Sequence, residues 1–483
     1  MVEVAFYGDD FTGSTDALAQ FTRLGFRGVL LVTMPAWDEL QALARQYDVI
    51  GVAGIARSLP PDEQEAEIRP ILQALRNLGP RFVQYKVCST ADSSPTVGSI
   101  GRALEVGRSI FGPAVVPILI AQPDLGRYTV FSHHFAAEAG TTHRLDRQPT
   151  MSSHPATPMH ESDLRVHLAN QTNLQIGALH LPSYPDLPTH DTHSTYDALV
   201  LDALTDADLQ SIARTILTPP TTPAFAIGSG GLSRALALAL TDPPSTHDRA
   251  GMERLGHADL VDRERRDADV VLATPTGETS NYTEASPALP CDRPDLNAAA
   301  SVLAPPQLTT TPPANQVLVV SGSQSPRTAE QIAHAVAAGW RSLPLTYPPA
   351  AVSDGSPAVA TEAVRALNAG APGVVVHTGE ATGQATGELL GAFSKDLAAV
   401  VRQVVHTTQV RRVVVAGGDT SGRILRELGL TGLEPFPTTP SDLSHGLALC
   451  TAIAADPQLN GLHFLLKGGQ IGDPNLFDSL RHI

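Results

Sequence analysis

Cysteine is scarce in this sequence: only Cys88, Cys291 and Cys450 occur among 483 residues. Their odd number and wide spacing argue against a disulfide framework, and no paired Cys or Cys/His spacing suggests structural zinc. Long apolar runs are also missing, since no stretch approaches the ~18 apolar residues of a membrane-spanning helix. The N-terminus lacks the basic and apolar regions of a secretion signal. These absences predict a reduced, cytoplasmic protein that does not use a membrane as its partner.

Positive charge is in deficit as well. Lys and Arg number 33 against 49 Asp and Glu, which gives a formal net charge of −16. Nucleic acids and anionic membranes require a basic surface, so this balance argues against nucleic acid as the main partner. A small anionic substrate stays compatible with it, because a few local cations are enough to bind one.

The sequence does contain an alternation of apolar strand-like runs and amphipathic helices. In the first half, such runs lie at residues 2–7, 29–33, 49–53 and 82–87, and a second alternation starts at residue 317. This alternation is typical of βαβ units with a parallel sheet. We therefore predict an α/β protein with two α/β domains, mostly parallel sheets and an active-site cleft between the domains.

A change of composition separates the two alternating regions. Residues 241–315 are rich in Pro, Thr and Ala and show little periodicity, which indicates a linker with an insertion. The predicted domains are therefore residues 1–240 and 316–483.

Two acidic residues, Asp9 and Asp10, follow the first predicted strand. Ligands of open parallel sheets bind beyond the carboxyl ends of the strands. Two carboxylates at that position could accept a substrate proton, bind hydroxyl groups or hold Mg²⁺. An equally simple interpretation is that one Asp caps the next helix and the other is solvated.

A polar loop follows the fourth predicted strand and begins at Lys86. It also carries Ser89, Thr90, Asp92, Ser93 and Ser94. One cation, several hydroxyls and a carboxylate suit a polyhydroxy carboxylate ligand, although a helix-capping Ser/Thr loop has the same composition. Arg57, after the third predicted strand, is a second cation at the same edge of the sheet and by itself indicates only a surface charge.

Three turns of small residues end predicted strands in the second half. They are SGS at residues 321–323, GGDTSG at 417–422 and KGG at 467–469. Glycine lets the backbone approach a phosphate closely, and a following helix N-terminus offers free N–H groups. Each turn alone is a common feature, but three at one sheet edge favour a nucleotide site.

Other nucleotide-binding signatures are missing. The P-loop pattern GxxxxGK[ST] and the protein-kinase motifs do not occur. The run GSGGLS at residues 228–233 nearly matches GxGxxG but lacks its last glycine, so a nicotinamide-dependent dehydrogenase is a weaker alternative. The 17 histidines show no HExxH or comparable metal-ligand spacing.

Seven segments, in their order along the chain, resemble the four-carbon acid sugar kinase family. They are DDFTG from residue 9 with TDA from 15, YKVCST from 85 with DSS from 92, GSIG from 98, GSGG from 228, VSGS from 320, GGDTSG from 417 and KGG from 467. The 241–315 segment is longer than the usual family linker, and GQIG at residues 469–472 also departs from the family pattern. The resemblance implies an N-terminal acid-sugar domain and a C-terminal nucleotide domain.

The resemblance further implies transfer of the ATP γ-phosphoryl group to the terminal O4 hydroxyl of a tetronate, such as 3-oxo-tetronate, D-threonate or D-erythronate. Asp10, with Asp9 beside it, would act on that hydroxyl. The acid sugar would contact Arg57, Lys86, Ser89, Thr90, Asp92, Ser93 and Ser94. ATP would contact Ser321, Gly417, Gly418, Asp419, Thr420 and Gly468, with Mg²⁺ bridging its phosphates. A nonenzymatic sensor of acid sugar and nucleotide is the main alternative, and a homo-oligomer is compatible with either function.

Overall fold

The computed structural model describes residues 2–138, 140–154, 156–186, 195–216, 223–241, 316–323, 325–345, 355–378, 387–436, 447–469 and 471–482. Of the predicted linker, residues 241–315, only residue 241 lies within these ranges. The described residues belong to one compact unit. How this unit divides into the domains 1–240 and 316–483 stays a prediction.

The strands alternate with helices along the chain. The strands are β1 (Val4–Gly8), β2 (Gly28–Leu31), β3 (Val49–Ala53), β4 (Phe82–Lys86), β5 (Val116–Leu119), β6 (Arg127–Val130), β7 (His133–Glu138), β8 (Thr141–Arg144), β9 (Ile176–Leu179), β10 (Ala198–Leu201), β11 (Ala224–Gly228), β12 (Val317–Ser321), β13 (Arg341–Pro344), β14 (Gly373–His377), β15 (Arg412–Ala416), β16 (Leu430–Pro435), β17 (Ala448–Ala454) and β18 (His463–Lys467).

The α-helices are α1 (Phe11–Thr22), α2 (Trp37–Gln46), α3 (Pro61–Asn77), α4 (Ile100–Phe111), α5 (Pro149–Ser152), α6 (Leu164–Ala169), α7 (Asp206–Ile216), α8 (Gly230–Thr241), α9 (Pro326–Ala337), α10 (Gly355–Asn368), α11 (Gly387–Thr407), α12 (Gly418–Glu427) and α13 (Leu476–Ser479). Short 3₁₀ turns occur in the connections, among them Ala56–Ser58 after β3.

One large sheet passes through both halves of the chain. Its strand order is β13-β14-β12-β15-β18-β17-β16-β2-β3-β1-β4-β11-β5-β10-β9. The halves join where β16 pairs antiparallel with β2, at Gly432 opposite Leu31 and Leu433 opposite Leu30. Antiparallel pairing in this sheet is confined to β16 and β17 and their neighbours. The predicted α/β fold with mostly parallel strands is therefore confirmed.

The central strand β1 is buried on both faces. Val4 and Phe6 pack into one apolar layer, whereas Ala5 and Tyr7 pack into the other, as the alternation of side chains along a strand requires. This two-sided burial explains why the strand reads as an unbroken apolar run in the sequence.

The position of β1 decides where the polar loops meet. β1 pairs in parallel with β3 and β4, and Gly8 lies opposite both Ala53 and Lys86. The loops that follow these three strands therefore leave the sheet side by side. They carry the Asp pair, Arg57 and the Lys86 loop.

A second, three-stranded antiparallel sheet, β6-β7-β8, follows β5 in the chain. Its first residue, Arg127, exchanges backbone hydrogen bonds with Gln122, which lies just after the carboxyl end of β5. The hairpin between β6 and β7 has positive φ at Phe131 and Ser132, and the buried carboxylate of Asp202 accepts both of their N–H groups. The small sheet is thereby fixed to the carboxyl edge of the large one.

Candidate active site

The Asp pair is buried at the end of β1, with Asp9 only 2% and Asp10 only 7% exposed. Asp10 caps α1, because its Oδ1 accepts the backbone N–H of Gly13 at 2.9 Å. Its other carboxylate oxygen, Oδ2, makes no hydrogen bond to a described residue. A Cβ atom built on Gly418 would lie 3.7 Å from that oxygen. Capping therefore uses one oxygen of Asp10 and leaves the other facing the glycine turn of the second half.

Arg57 is the partner of both aspartates. Its Nη2 donates to Oδ1 of Asp9 at 2.6 Å and to Oδ1 of Asp10 at 2.9 Å, and its Nε donates to Oδ2 of Asp9 at 3.2 Å. The backbone N–H of Arg57 also donates to the carbonyl of Asp9 at 3.0 Å. The guanidinium thus holds the acidic pair in place, and a further role as ligand of the substrate carboxylate stays a prediction.

The electrostatic setting of Asp9 is unusual. Burial is the main cause that raises its pKa, to about 6, and the negative charge of Asp10 adds to the effect although Arg57 opposes it. Because the carboxyl binds its proton more tightly when folded than when unfolded, ionisation of Asp9 lowers the free energy of unfolding. That loss begins above the unfolded-state pKa, near 3.8, and is complete above about 6.

We expect Asp9→Asn to abolish this pH dependence. Relative to wild type, the free energy of unfolding of the variant should rise as pH increases from 4 to 7, by at most about 3 kcal/mol. Urea unfolding at several pH values measures this difference. Asp48→Asn is the control with the opposite sign, because hydrogen bonds from Arg27 outweigh burial and lower the pKa of Asp48. A difference for Asp9→Asn that stays constant with pH would contradict the assignment.

Lys86 lies against the acidic pair. Its side chain is 2% exposed, and Nζ donates to the carbonyl of Val87 at 3.1 Å. A Cβ on Gly13 would fall 2.9 Å from Nζ and 2.4 Å from Oδ1 of Asp10, so only glycine leaves room for both groups. Lys86 is placed as predicted at the shared edge, and its contact with an acid sugar stays a prediction.

The polar groups at the end of the Lys86 loop are bonded to other residues of the protein. Ser93 Oγ lies 2.9 Å from Nε2 of His167, and Ser94 Oγ accepts a backbone N–H of its own turn at 3.0 Å. Asp92 accepts a short hydrogen bond from the hydroxyl of Thr157. These polar groups therefore have partners within the protein, and substrate contacts by them stay a prediction.

The start of the loop is fixed by a buried histidine. His134 lies in β7, and its Nε2 is 2.8 Å from the carbonyl oxygen of Ser89. Burial is the main cause that lowers the pKa of His134 to about 4, so the ring is neutral at physiological pH and can donate this bond. Thr90 Oγ1 lies 3.0 Å from the thiol of Cys88. His134 carries no motif in the sequence, and its burial follows from the contact of β7 with this loop.

The predicted nucleotide turns lie together at one edge. Ser321 lies opposite Ala416 in the sheet, and Ala416 lies opposite Lys467, so the turns after β12, β15 and β18 leave side by side. Gly417 has a φ of +122°, which favours glycine. Its N–H donates to the carbonyl of Lys467 at 3.0 Å. The side chain of Asp419 lies outside the described part of the chain.

Phe11 and Thr12, to which the sequence assigned no role, connect the two halves of the chain at this edge. A Cβ on Gly468 would lie 3.8 Å from Cγ2 of Thr12, whose buried Oγ1 has no hydrogen-bond partner in the described part of the chain. A Cβ on Gly422 would lie 2.2 Å from the ring of Phe11. The DDFTG, GGDTSG and KGG segments contain these residues, but the sequence does not show that the first packs on the other two.

Lys467 is a further residue to which the sequence assigned no role. It is fully buried, and its Nζ donates to Oγ1 of Thr328 at 2.9 Å and to the carbonyl of Gly469 at 3.3 Å. Burial lowers the pKa of its amine to about 7. Its only signal in the sequence was its place before two glycines.

The near-GxGxxG turn has a packing role. A Cβ on Gly231 would fall 2.0 Å from the carbonyl oxygen of Ala121, and one on Gly230 would fall 2.3 Å from Oδ2 of Asp16. These glycines allow α8 to approach β5 and α1. A dehydrogenase site at this turn gains no support from such contacts.

Two domain families match the chain in the order that the sequence predicts. A sugar-binding N-terminal domain matches residues 4–236, and a nucleotide-binding C-terminal domain matches residues 318–477. The 3-oxo-isoapionate kinase of Paraburkholderia graminis is 35% identical over 99% of this chain and 94% of its own length. The 3-oxo-tetronate kinase of Methylobacterium radiotolerans is 28% identical over 97% of this chain and 96% of its own.

Solved structures show the same fold. A Haemophilus influenzae protein from a domain family of unknown function covers 99% of both chains with a TM-score of 0.61 and 17% identity. A Salmonella typhimurium protein described as a candidate tRNA synthase covers 100% of this chain and 99% of its own, with a TM-score of 0.67 and 20% identity. At such identities the likeness concerns the fold alone.

These matches describe a sugar-binding half followed by a nucleotide-binding half. The chain belongs to the four-carbon acid sugar kinase family. The predictions of the family and of an ATP-dependent phosphotransferase are therefore confirmed. None of the described helices is long and apolar enough to cross a bilayer.

Proposed function

We propose that the chain transfers the γ-phosphoryl group of ATP to a hydroxyl of a 3-oxo acid sugar, in the space between Asp10 and the turn that begins at Gly417. The observation that carries the proposal is the free Oδ2 of Asp10 facing Gly418. The 35% identity to a 3-oxo-isoapionate kinase makes that acid the first substrate to test, ahead of 3-oxo-tetronate, whose kinase is 28% identical. D-Threonate and D-erythronate complete the set.

Phosphoryl transfer requires alignment and charge stabilisation more than covalent chemistry. Asp10 accepts the proton of the attacking hydroxyl through Oδ2, while Arg57 and the N–H of Gly13 hold its other oxygen. Backbone N–H groups of the Gly417 turn and the start of α12 bind the phosphates. Mg²⁺ would be held mainly by the ATP phosphates and would neutralise part of their charge.

A second consequence concerns Lys467. Burial lowers the pKa of this amine to about 7, and a triphosphate bound at the adjacent Gly468 turn would favour the charged form. We therefore expect ATP binding at pH 8 to take up a fraction of a proton. Calorimetry in two buffers with different ionisation enthalpies measures this uptake.

The control variants separate Lys467 from other groups. Lys467→Met should abolish the proton uptake, whereas Lys395→Met, at an exposed position of α11, should retain it. Equal uptake by wild type and Lys467→Met would show that Lys467 does not sense the nucleotide.

The substrate proposal is tested by ADP release. Purified enzyme, ATP and Mg²⁺ are incubated with each acid, and kcat/KM is compared across the set. We expect the highest value for a 3-oxo acid. Binding of acid and nucleotide without ADP release would instead favour the sensor, and a preference for D-threonate or D-erythronate would overturn the 3-oxo assignment.

A further inference from the structure

The strongest unassigned group in the first half is the guanidinium of Arg127. Its Nη1 donates to three backbone carbonyls, of Leu125 at 3.0 Å, of Gly126 at 3.4 Å and of Ala137 at 2.8 Å. Its Nε is buried and has no hydrogen-bond partner among the residues that the structure describes. Its Nη2 makes no hydrogen bond to a described residue, and it is not among the buried polar atoms. The side chain is therefore held firmly on one side and open on the other.

No carboxylate among the described residues forms an ion pair with Arg127, although Glu138 is near enough to act on its charge. Glu138, the acidic residue of the same small sheet, bonds instead to Gln148 at 2.7 Å and to the hydroxyl of Thr150 at 2.8 Å. Arg57, by contrast, forms ion pairs with both Asp9 and Asp10. Arg127 is partly buried, and a cation removed from water without an ion-pair partner is costly. Such a group is explained most simply by an anionic ligand.

The position of Arg127 suits the acid end of a substrate. Arg127 begins β6 and bonds through its backbone to Gln122, whose side chain donates to Oδ2 of Asp16 in α1 at 3.2 Å. In the large sheet, β5 lies three strands beyond β1, on the side away from β2 and the nucleotide half. Three strand spacings amount to roughly 14 Å, which a long arginine side chain and a short acid can fill together.

We propose that Nη2 of Arg127 binds the carboxylate of the acid sugar and so orients the opposite, hydroxyl end towards Asp10. This inference rests on the proposed function for the identity of the ligand. The arrangement keeps the negative carboxylate far from the phosphates of ATP, where repulsion would be greatest. Cys88, in the Lys86 loop, is near enough to the guanidinium of Arg127 to act on it electrostatically.

The test compares an acid with its uncharged carboxamide. The probe is the acid sugar that turns over fastest, or D-threonate if none does, and calorimetry measures both ligands. We expect Arg127→Gln to weaken acid binding on the order of 10- to 100-fold, the range for a hydrogen bond to a charged group. The carboxamide should bind wild type and Arg127→Gln equally, and Arg127→Lys should restore part of the acid affinity.

Arg144→Gln is the matched control, because Arg144 lies in the same small sheet but pairs with Asp146 at its exposed edge. It should leave acid binding unchanged. Equal losses of affinity for acid and carboxamide in Arg127→Gln would assign Arg127 to loop structure alone and overturn the inference. An unchanged affinity of Arg127→Gln for the acid would also overturn it, and so would a wild-type protein that binds no acid.

The outcomes separate this inference from the proposed function. If wild type phosphorylates an acid and Arg127→Gln keeps its KM, the inference fails and the function stands. If acid binding depends on Arg127 but no ADP forms, the kinase proposal fails and the carboxylate site stands.

Discussion

Replacement of Asp10 by Asn is expected to lower kcat by ~10²–10⁴-fold, the usual contribution of a general base. An Asn side chain still offers an oxygen to the N–H of Gly13, so the cap on α1 remains and the fold should be retained. The lost group is the negative Oδ2 that faces Gly418. KM for ATP should change little, since the glycine turns are untouched. Steady-state kinetics together with thermal unfolding measure both effects.

Asp9→Asn separates the two aspartates. Both oxygens of Asp9 accept hydrogen bonds from Arg57, so Asp9 positions the pair without facing the nucleotide turn. Its kcat should therefore fall less than that of Asp10→Asn. Asp38→Asn, at an exposed position in the first turn of α2, controls for the loss of a carboxylate elsewhere. A larger loss from Asp9→Asn than from Asp10→Asn would exchange the roles assigned to them.

The second large effect is expected from Gly418→Ala. The added Cβ would lie 3.7 Å from Oδ2 of Asp10, an ordinary contact, and nothing else comes within 4 Å. The folded protein should tolerate it, and alanine also favours a helix by up to ~1 kcal/mol over glycine. The same methyl group occupies the space through which the phosphoryl group would pass. We expect turnover to fall about 10²-fold, as small displacements in an aligned site do.

Gly391→Ala is the matched control for this substitution. Gly391 lies in α11, and a Cβ there would meet nothing within 4 Å. Both variants should unfold at or slightly above the wild-type temperature, but only Gly418→Ala should lose activity. Full activity in Gly418→Ala would mean that phosphoryl transfer takes place elsewhere.

The sequence was most informative where local pattern and tertiary position agree. β1 is predicted at residues 2–7 and observed at Val4–Gly8, because a strand buried on both faces must be apolar throughout. The GGDTSG turn was recognised for the same reason, since close backbone approach requires glycine at a positive φ such as that of Gly417. Both features follow from neighbours in the chain.

Contacts between distant segments were beyond such patterns. The sequence offered capping and catalysis as alternatives for the Asp pair. In the structure, one oxygen of the Asp10 carboxylate caps α1, and the other oxygen makes no hydrogen bond to a described residue. The family resemblance predicts that Arg57 contacts the substrate. No local pattern shows that Arg57 also bonds to the carboxylate of Asp10, 47 residues away. Arg127 belongs to no sequence motif. Its position at the edge of the large sheet is seen only in the structure, where β6 packs against that edge.

The central claim is that a substrate hydroxyl meets the γ-phosphate between Asp10 and Gly418. Phosphorus NMR of a reaction with ATP, Mg²⁺ and 3-oxo-isoapionate tests it most directly. The account predicts ADP together with a phosphate monoester of the acid, both formed ~10²–10⁴-fold more slowly in a parallel reaction with Asp10→Asn. ADP with free phosphate only, or an equal yield of monoester from Asp10→Asn, would contradict it.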